Sequence, residues 1–254
     1  MRVRNHFVAS LLELILLAIG TLIFSIFISL QIDVQKYRMA LAFLLLTFLF
    51  YMIYVSPVLI HKDSLADRGL GGRDTYYIRT DNLRAAARNY GIMAILAAVV
   101  ILAAAHYKGI DLGDPLRWRR FAFKLMFYLP SALLQDLCFL GFILPRVRDI
   151  VPGDSQNWQR ILAVSALAAG LFAVFHVPNI PLIAVAAVVG FAATTIFQRT
   201  PNILPAAVAH AFIGAMLHRI FELNMRIGQA YWHPEKYFFR ELIPGLKEYI
   251  GAAF

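Results

Sequence analysis

A chain of 254 residues that is 60% hydrophobic and only 15% charged departs from soluble domains, which are roughly 45–50% apolar and 25% charged, in the direction of an integral membrane protein. Its formal charge of +9 does not indicate nucleic acid. The Arg and Lys residues stand between apolar runs, where topology and anionic headgroups call for cations, and the sequence has neither zinc-finger spacing nor interleaved aromatic and basic residues. The single cysteine, Cys138, excludes an internal disulfide and, lying in an apolar run, is expected to be a buried structural thiol.

Hydropathy predicts an all-α fold, a polytopic transmembrane helical bundle of about seven spans over 7–30, 39–60, 88–106, 120–145, 159–177, 180–198 and 203–221. The opening MRVRNH and the apolar run after it read as a retained first span rather than a signal peptide, because the run is long and no small-residue cleavage site with a soluble domain follows. Glu13 lies inside this span, either facing the bundle or snorkelling to the interface. Between the second and third spans, His61 to Asn89 is the longest hydrophilic piece, with turns at Gly69, Gly71 and Gly72 and six Lys or Arg residues. Loop charge places this piece, the amino terminus and the Arg146–Arg148 loop together on the cytoplasmic side, whereas Arg117, Arg119 and Arg120 pull the other way. Gly91, Gly190 and the alanine-rich runs around them suit close helix packing. After Glu222 the tail mixes aromatics with charges, as an interfacial amphipathic segment does.

No internal repeat divides the chain, so 1–254 is taken as one integral membrane domain: amino-terminal spans and loop in 1–119, a core in 120–221 and the tail in 222–254. A multi-pass protein of the bacterial inner membrane, in contact with membrane lipids, is the expected setting. The sequence carries no signal for an oligomeric state.

The fourth span, from Arg120 to Arg146, carries Gln135 and Asp136 side by side near its middle. A carboxyl at that depth is costly unless it meets protein, water or a partner, so Asp136 marks a buried polar site. The fifth span ends in Phe172-Ala-Val-Phe-His176-Val-Pro-Asn179, and the seventh, AAVAHAFIGAMLHR, holds His210 well inside. One intramembrane histidine is most simply an interhelical hydrogen-bond donor, but three such polar residues in separate spans point to a shared cluster. His218 lies two turns beyond His210 beside Arg219, an interfacial position, and His6, His61, His106 and His233 lie in or beside loops. At about 1.5 Å per residue, Asp136 and His210 come roughly 15 Å from the cytoplasmic edge and His176 about 24 Å, so tilt, or a turn at Pro178 and Pro181, has to bring the three together.

In order and spacing these motifs resemble the CPBP family of intramembrane proteases, which includes type II CAAX prenyl proteases and Abi-like proteins. The family's Glu-Glu-x-x-x-Arg helix falls on Gln135-Asp136-Leu137-Cys138-Phe139-Leu140. Its Phe-x-x-x-His falls on Phe172 and His176, and its second histidine on His210, with Gly214 at a position often held by Asn. The stretch FQRTPNILPAAVAH, from Phe197 to His210, resembles the link between the family's last two core helices. The resemblance implies a CPBP-like core in the carboxyl-terminal half and an intramembrane endopeptidase acting, with no cofactor or metal, on a peptide or protein near the membrane.

Carried over by position, the resemblance makes Asp136 with His176 the pair that activates a water. His210 donates to the carbonyl oxygen as it becomes negative, and Gln135 positions water or substrate. The departures are Gln135, which cannot accept a proton as the family Glu does, Leu140 in place of Arg, and Gly214, which offers no side-chain donor. Two other readings stand beside this one. The first is a catalytically inactive CPBP-like scaffold or immunity protein that binds membrane partners; the second is a bis-His haem or metal protein, or a transporter.

Overall fold

The computed structural model describes residues 2–23, 34–71 and 79–232. In chain order, α1 (Arg2–Leu22) is followed by α2 (Val34–Phe50), which runs directly into a π-helical stretch (Tyr51–Ile60), and then by α3 (Leu83–Tyr107). Next, α4 (Pro115–Cys138) continues through a π turn (Phe139–Ile143) into α5 (Leu144–Ile150). The remaining helices are α6 (Trp158–Val174), α7 (Ile180–Arg199), α8 (Ile203–Arg219) and the short α9 (Gln229–Trp232). Among the described residues all regular structure is helical, and the bundle matches the expected all-α membrane fold.

Four rods, Ala42–Ile60, Leu83–Tyr107, Pro115–Ile150 and Ile180–Arg199, are long and apolar enough to cross a membrane, and His6–Leu22, α6 and α8 are shorter apolar helices. Large apolar side chains such as Leu46, Val100, Phe127 and Val188 stand exposed on the outside, where lipid replaces water. The chain is an integral membrane protein.

Asx caps explain most helix starts in the carboxyl-terminal half. Asp114, Asn157, Asn179 and Asn202 each accept a hydrogen bond from a backbone N–H two or three residues on, and Pro115 and Pro181 occupy first-turn positions where no N–H is needed. Several predicted boundaries differ; the first, second and fourth spans begin five residues early, at Arg2, Val34 and Pro115. The third span begins earlier, at Leu83, and the fourth runs past Arg146 to Ile150. The fifth stops at Val174, because its last turns tighten to i→i+3 bonds before Pro178, leaving His176 in the α6–α7 turn. The part of the first span beyond residue 23 lies outside the described residues.

Helix α8 is the axis of the bundle. Most of it is buried, and its small residues, among them Ala207, Ala211, Gly214 and Ala215, let α3 and α4 approach closely. Helices α6 and α7 form an adjoining antiparallel pair. Of the two glycines expected to permit close packing, Gly190 does so: a Cβ there would touch Ala169, Phe139 and Phe172, each at 3.5 Å. Gly91 has nothing within 4 Å and lies on an open face, so the close-packing expectation does not hold for it.

The π-helical stretches leave carbonyls without their α-helical partners. Arg68, buried in the loop after α2, supplies donors to two of them, through Nε to Gly141 O at 3.3 Å and through Nη2 to Ile53 O at 2.6 Å. Arg146 is also wholly buried, contrary to its expected place in a loop, because the fourth rod carries it one turn into the end of the bundle. Its Nε donates to Glu13 at 2.9 Å and its Nη2 to Asp63 at 2.8 Å and to Ser56 at 3.3 Å. Tyr51 donates to Glu13 at 2.7 Å, His61 approaches the same carboxylate at 3.2 Å, and Ser10 donates to Asp149 at 2.7 Å. Glu13 therefore faces inward, and the three segments grouped by loop charge meet at one end. Arg117 and Glu222 pair at 2.7 Å far from this cluster, near the start of α4 and the end of α8.

Removing the guanidinium would strand the Glu13 and Asp63 carboxylates. Arg146→Ala is expected to cost about 3–5 kcal/mol, read as a lowered unfolding midpoint in detergent, while an unchanged midpoint would show that the ion cluster does not hold the three segments together.

Candidate active site

Tyr128, Ala132 and Asp136 recur at i, i+4 and i+8 on one face of α4, and that face meets α8 at His210 and Gly214, themselves four apart. Ala132, fully buried, keeps the two backbones close between the polar positions. Asp136 is 4% exposed, and its Oδ1 accepts a hydrogen bond from His210 Nδ1 at 2.9 Å. Its second oxygen, Oδ2, is buried and has no hydrogen-bond partner among the described residues. Native proteins rarely leave such an atom without a use.

Asp136, His210 and His176 all line one cavity of about 60 Å³, together with Tyr128, Phe172 and Met225. Its remaining wall is mostly apolar and comes largely from α7 and α8. That volume holds several waters, since one needs about 10–15 Å³.

His176 enters the cavity from the α6–α7 turn. Its Nδ1 lies 3.2 Å from the carbonyl oxygen of Phe172, which can only accept, so Nδ1 carries the hydrogen and Nε2 of the neutral ring is the acceptor. The Phe172 ring packs against both histidines, with centroids 5.0 Å from His176 and 6.1 Å from His210, and stacks on Phe139 at 4.2 Å. The Phe-x-x-x-His motif thus sets an aromatic wall beside both imidazoles.

The three predicted residues share a cavity but are not paired as expected. Asp136 bonds to His210, not to His176, and His176 has no hydrogen bond to either. The expected depths account for this: the two groups at equal height touch, and the more distant His176 reaches the cavity from further along the bundle. Gln135 is not on the cavity wall. One position along the helix, it is turned about 100° away, and its amide donates to Ser131 Oγ at 3.0 Å and to Tyr128 Oη at 3.5 Å.

Leu140, where the resemblance expects an Arg, is packed in the core, and Arg68 reaches the neighbouring Gly141 carbonyl from another part of the chain. Cys138 is a free, partly buried thiol packed against the same core.

Sequence reading missed Tyr128, although its spacing of two helical turns from Asp136 was a signal. It also missed the strap after α8. Asn179 Nδ2 donates to the carbonyls of Asn224 and Arg226, and Gly228 N donates to Val177 O at 2.9 Å, which brings Met225 to the cavity. The tail from 233 onward, read as interfacial, lies outside the described residues. Among the described residues no group of three or more His, Cys, Asp or Glu side chains is arranged to hold a metal ion.

Residues 117–216 match the family model described as Type II CAAX prenyl endopeptidase Rce1-like. Comparison with curated proteins and with solved structures gave no match. The matched stretch begins in the first turn of α4, ends in the last turn of α8, and includes Tyr128, Gln135, Asp136, His176 and His210. It coincides with the part of the chain whose motifs resemble the CPBP proteases. Over residues 117–216 the chain is similar to the Rce1-like family of type II CAAX prenyl endopeptidases, a family of membrane proteases.

Proposed function

We propose that the protein is an intramembrane endopeptidase in which Asp136 and His176 hold and activate a water while His210 holds the Asp136 side chain in place. The observation that carries this reading is that Asp136, whose Oδ2 is a buried acceptor with no protein partner among the described residues, lines a cavity large enough for water. With Oδ1 already accepting from His210, Oδ2 is the oxygen whose full acceptor capacity is left for water. His176, fixed by the Phe172 carbonyl with Nε2 as acceptor, is the base suited to take the proton.

The chemistry then balances without any other reactant. The water O–H bond breaks, its proton passes to His176 Nε2, and the hydroxide oxygen adds to the peptide carbonyl carbon. The tetrahedral intermediate collapses as His176 returns the proton to the leaving nitrogen and the C–N bond breaks, giving an acid and an amine. The family's name supports a peptide ending in a prenylated CAAX sequence as the first substrate to test.

A binding-only role is favoured by a specific pair of residues, Gln135 and Leu140, which replace a titratable Glu and a cationic Arg. Turnover separates the two. A fluorescence-quenched farnesylated peptide ending in CAAX, incubated with the protein in proteoliposomes, is expected to be cleaved, and a protein that binds the peptide without cleaving it would establish the scaffold role instead. Replacing Asp136, His176 or His210 singly with Ala is expected to lower kcat by about 10²–10⁴. Wild-type turnover in all three variants would end the catalytic assignment.

A further inference from the structure

We infer that Met225 sets the size of the substrate side chain that the site accepts just after the cleaved bond. Met225 lies in the strap that follows α8, beyond the stretch similar to the CAAX endopeptidases, and it lines the cavity. Along the strap Phe221, Leu223 and Met225 are partly buried while Glu222, Asn224 and Arg226 are exposed. The alternation turns the apolar residues inward, onto the core around Ile213 and Leu217. Hydrogen bonds then fix the strap on both sides of Met225. Leu223 N donates to Leu217 O at 2.8 Å, which ties the strap to the last turn of α8. Asn179, 1% exposed, donates through Nδ2 to the carbonyls of Asn224 and Arg226, the two neighbours of Met225. Arg226 N closes the same turn by donating to Asn224 Oδ1 at 3.0 Å. Asn179 also caps α7 at Leu182, and its backbone N–H donates to His176 O at 2.9 Å. One buried side chain thereby holds Met225 against the turn that carries His176.

These bonds gather Leu182, Leu217 and Met225, all of which line the cavity, at its end under the strap. His210 precedes Leu217 by seven residues of α8, about 10 Å of helix rise. The cavity therefore has a polar end at Asp136 and His210 and an apolar end at Met225. Toward the polar end, helix packing has already taken the space. A Cβ at Gly214 would stand 2.5 Å from Cε1 of Tyr128, and one at Gly190 would touch Phe139 and Phe172, each at 3.5 Å. At the apolar end the wall is an unbranched thioether on a strap, which changes shape without moving a helix.

The inference rests on the hydrolase reading above, in which His176 returns the proton to the leaving nitrogen. The residue that follows the cleaved bond carries that nitrogen, so it lies on the His176 side of the site. Met225 is bound to the His176 turn, and the side chain of that residue meets it there. A cavity of about 60 Å³ is small beside the roughly 150 Å³ that holds benzene. With a water in place it has room for a short aliphatic side chain and none for an aromatic ring. Truncating Met225 to Ala removes three heavy atoms from the closed end and gives a larger side chain its space.

The test uses the full chain in proteoliposomes and three quenched farnesylated CAAX peptides, with Ala, Val or Phe after the cleaved bond, which is located by product mass. Wild type is expected to prefer the Val peptide to the Phe peptide by about tenfold or more in kcat/KM. Met225→Ala is expected to move that ratio about tenfold or more toward the Phe peptide, a change in preference that a merely structural role would not produce. Met225→Phe, which fills the apolar end further, is expected to lower kcat/KM for the Val peptide relative to the Ala peptide. An active wild type that takes Phe as well as Val, or a Met225→Ala whose ratio does not move toward Phe, overturns this inference and leaves the hydrolase reading standing. A wild type inert toward all three peptides overturns both. Should Met225→Ala fail to fold, Met225→Phe decides: a lowered Val-to-Ala ratio supports the inference, and an unchanged one overturns it.

Discussion

A carboxylate inside an apolar bundle has to be compensated, and the contact between Asp136 and His210 is where this protein does it. The contact joins α4 to α8, the buried axis of the fold, and so fixes the rotation of both helices about their own axes. Once that rotation is set, Tyr128 and Gly214 must face each other two turns and one turn away, and Asp136 lies on the wall of the cavity. The polar group that is hardest to bury is thereby the one that aligns the rest of the site.

The opposite strategy operates at the end of the bundle near α5. There Arg146 gathers Glu13, Asp63 and Ser56, while Arg68 satisfies carbonyls released by two π-helical stretches. Each guanidinium connects segments far apart in sequence and needs several acceptors in fixed places, which a flexible ammonium would not demand. The π turn at Phe139–Ile143 follows Asp136 by less than one turn of helix. Arg68 therefore steadies the backbone just beyond the candidate site without touching it, and the cluster around Arg146 anchors the rod from which Asp136 projects.

Much of the fold was legible because hydropathy is a one-dimensional property: among the described residues each of the seven apolar runs is helical, with boundaries moved where a cap or a proline acts locally. The candidate site was legible as a set of residues, since Asp136, His176 and His210 are expensive or unusual where they stand. The pairing was not. Which histidine meets the carboxylate depends on helix rotation and relative depth, and a family motif lists residues without either. His176 was placed in a helix that ends two residues before it, because tightening of the last turns leaves no mark on hydropathy. Glu13 was open between the bundle and the interface, His61 and Arg146 looked like loop residues, and the three form a cluster only because distant segments converge. Gly214 looked like a lost donor until the ring of Tyr128 was seen to need its space.

The central claim is that Asp136 and His210 hold one another by a hydrogen bond from Nδ1 at the edge of a cavity with room for several waters. Nitrogen NMR of protein labelled with ¹⁵N in its histidines tests it most directly, with the His210 signals assigned by their loss in His210→Gln. The expected result is a His210 ring protonated at Nδ1 whose signal changes when Asp136 is replaced by Ala. A His210 protonated only at Nε2, with a spectrum indifferent to Asp136→Ala, would contradict the account.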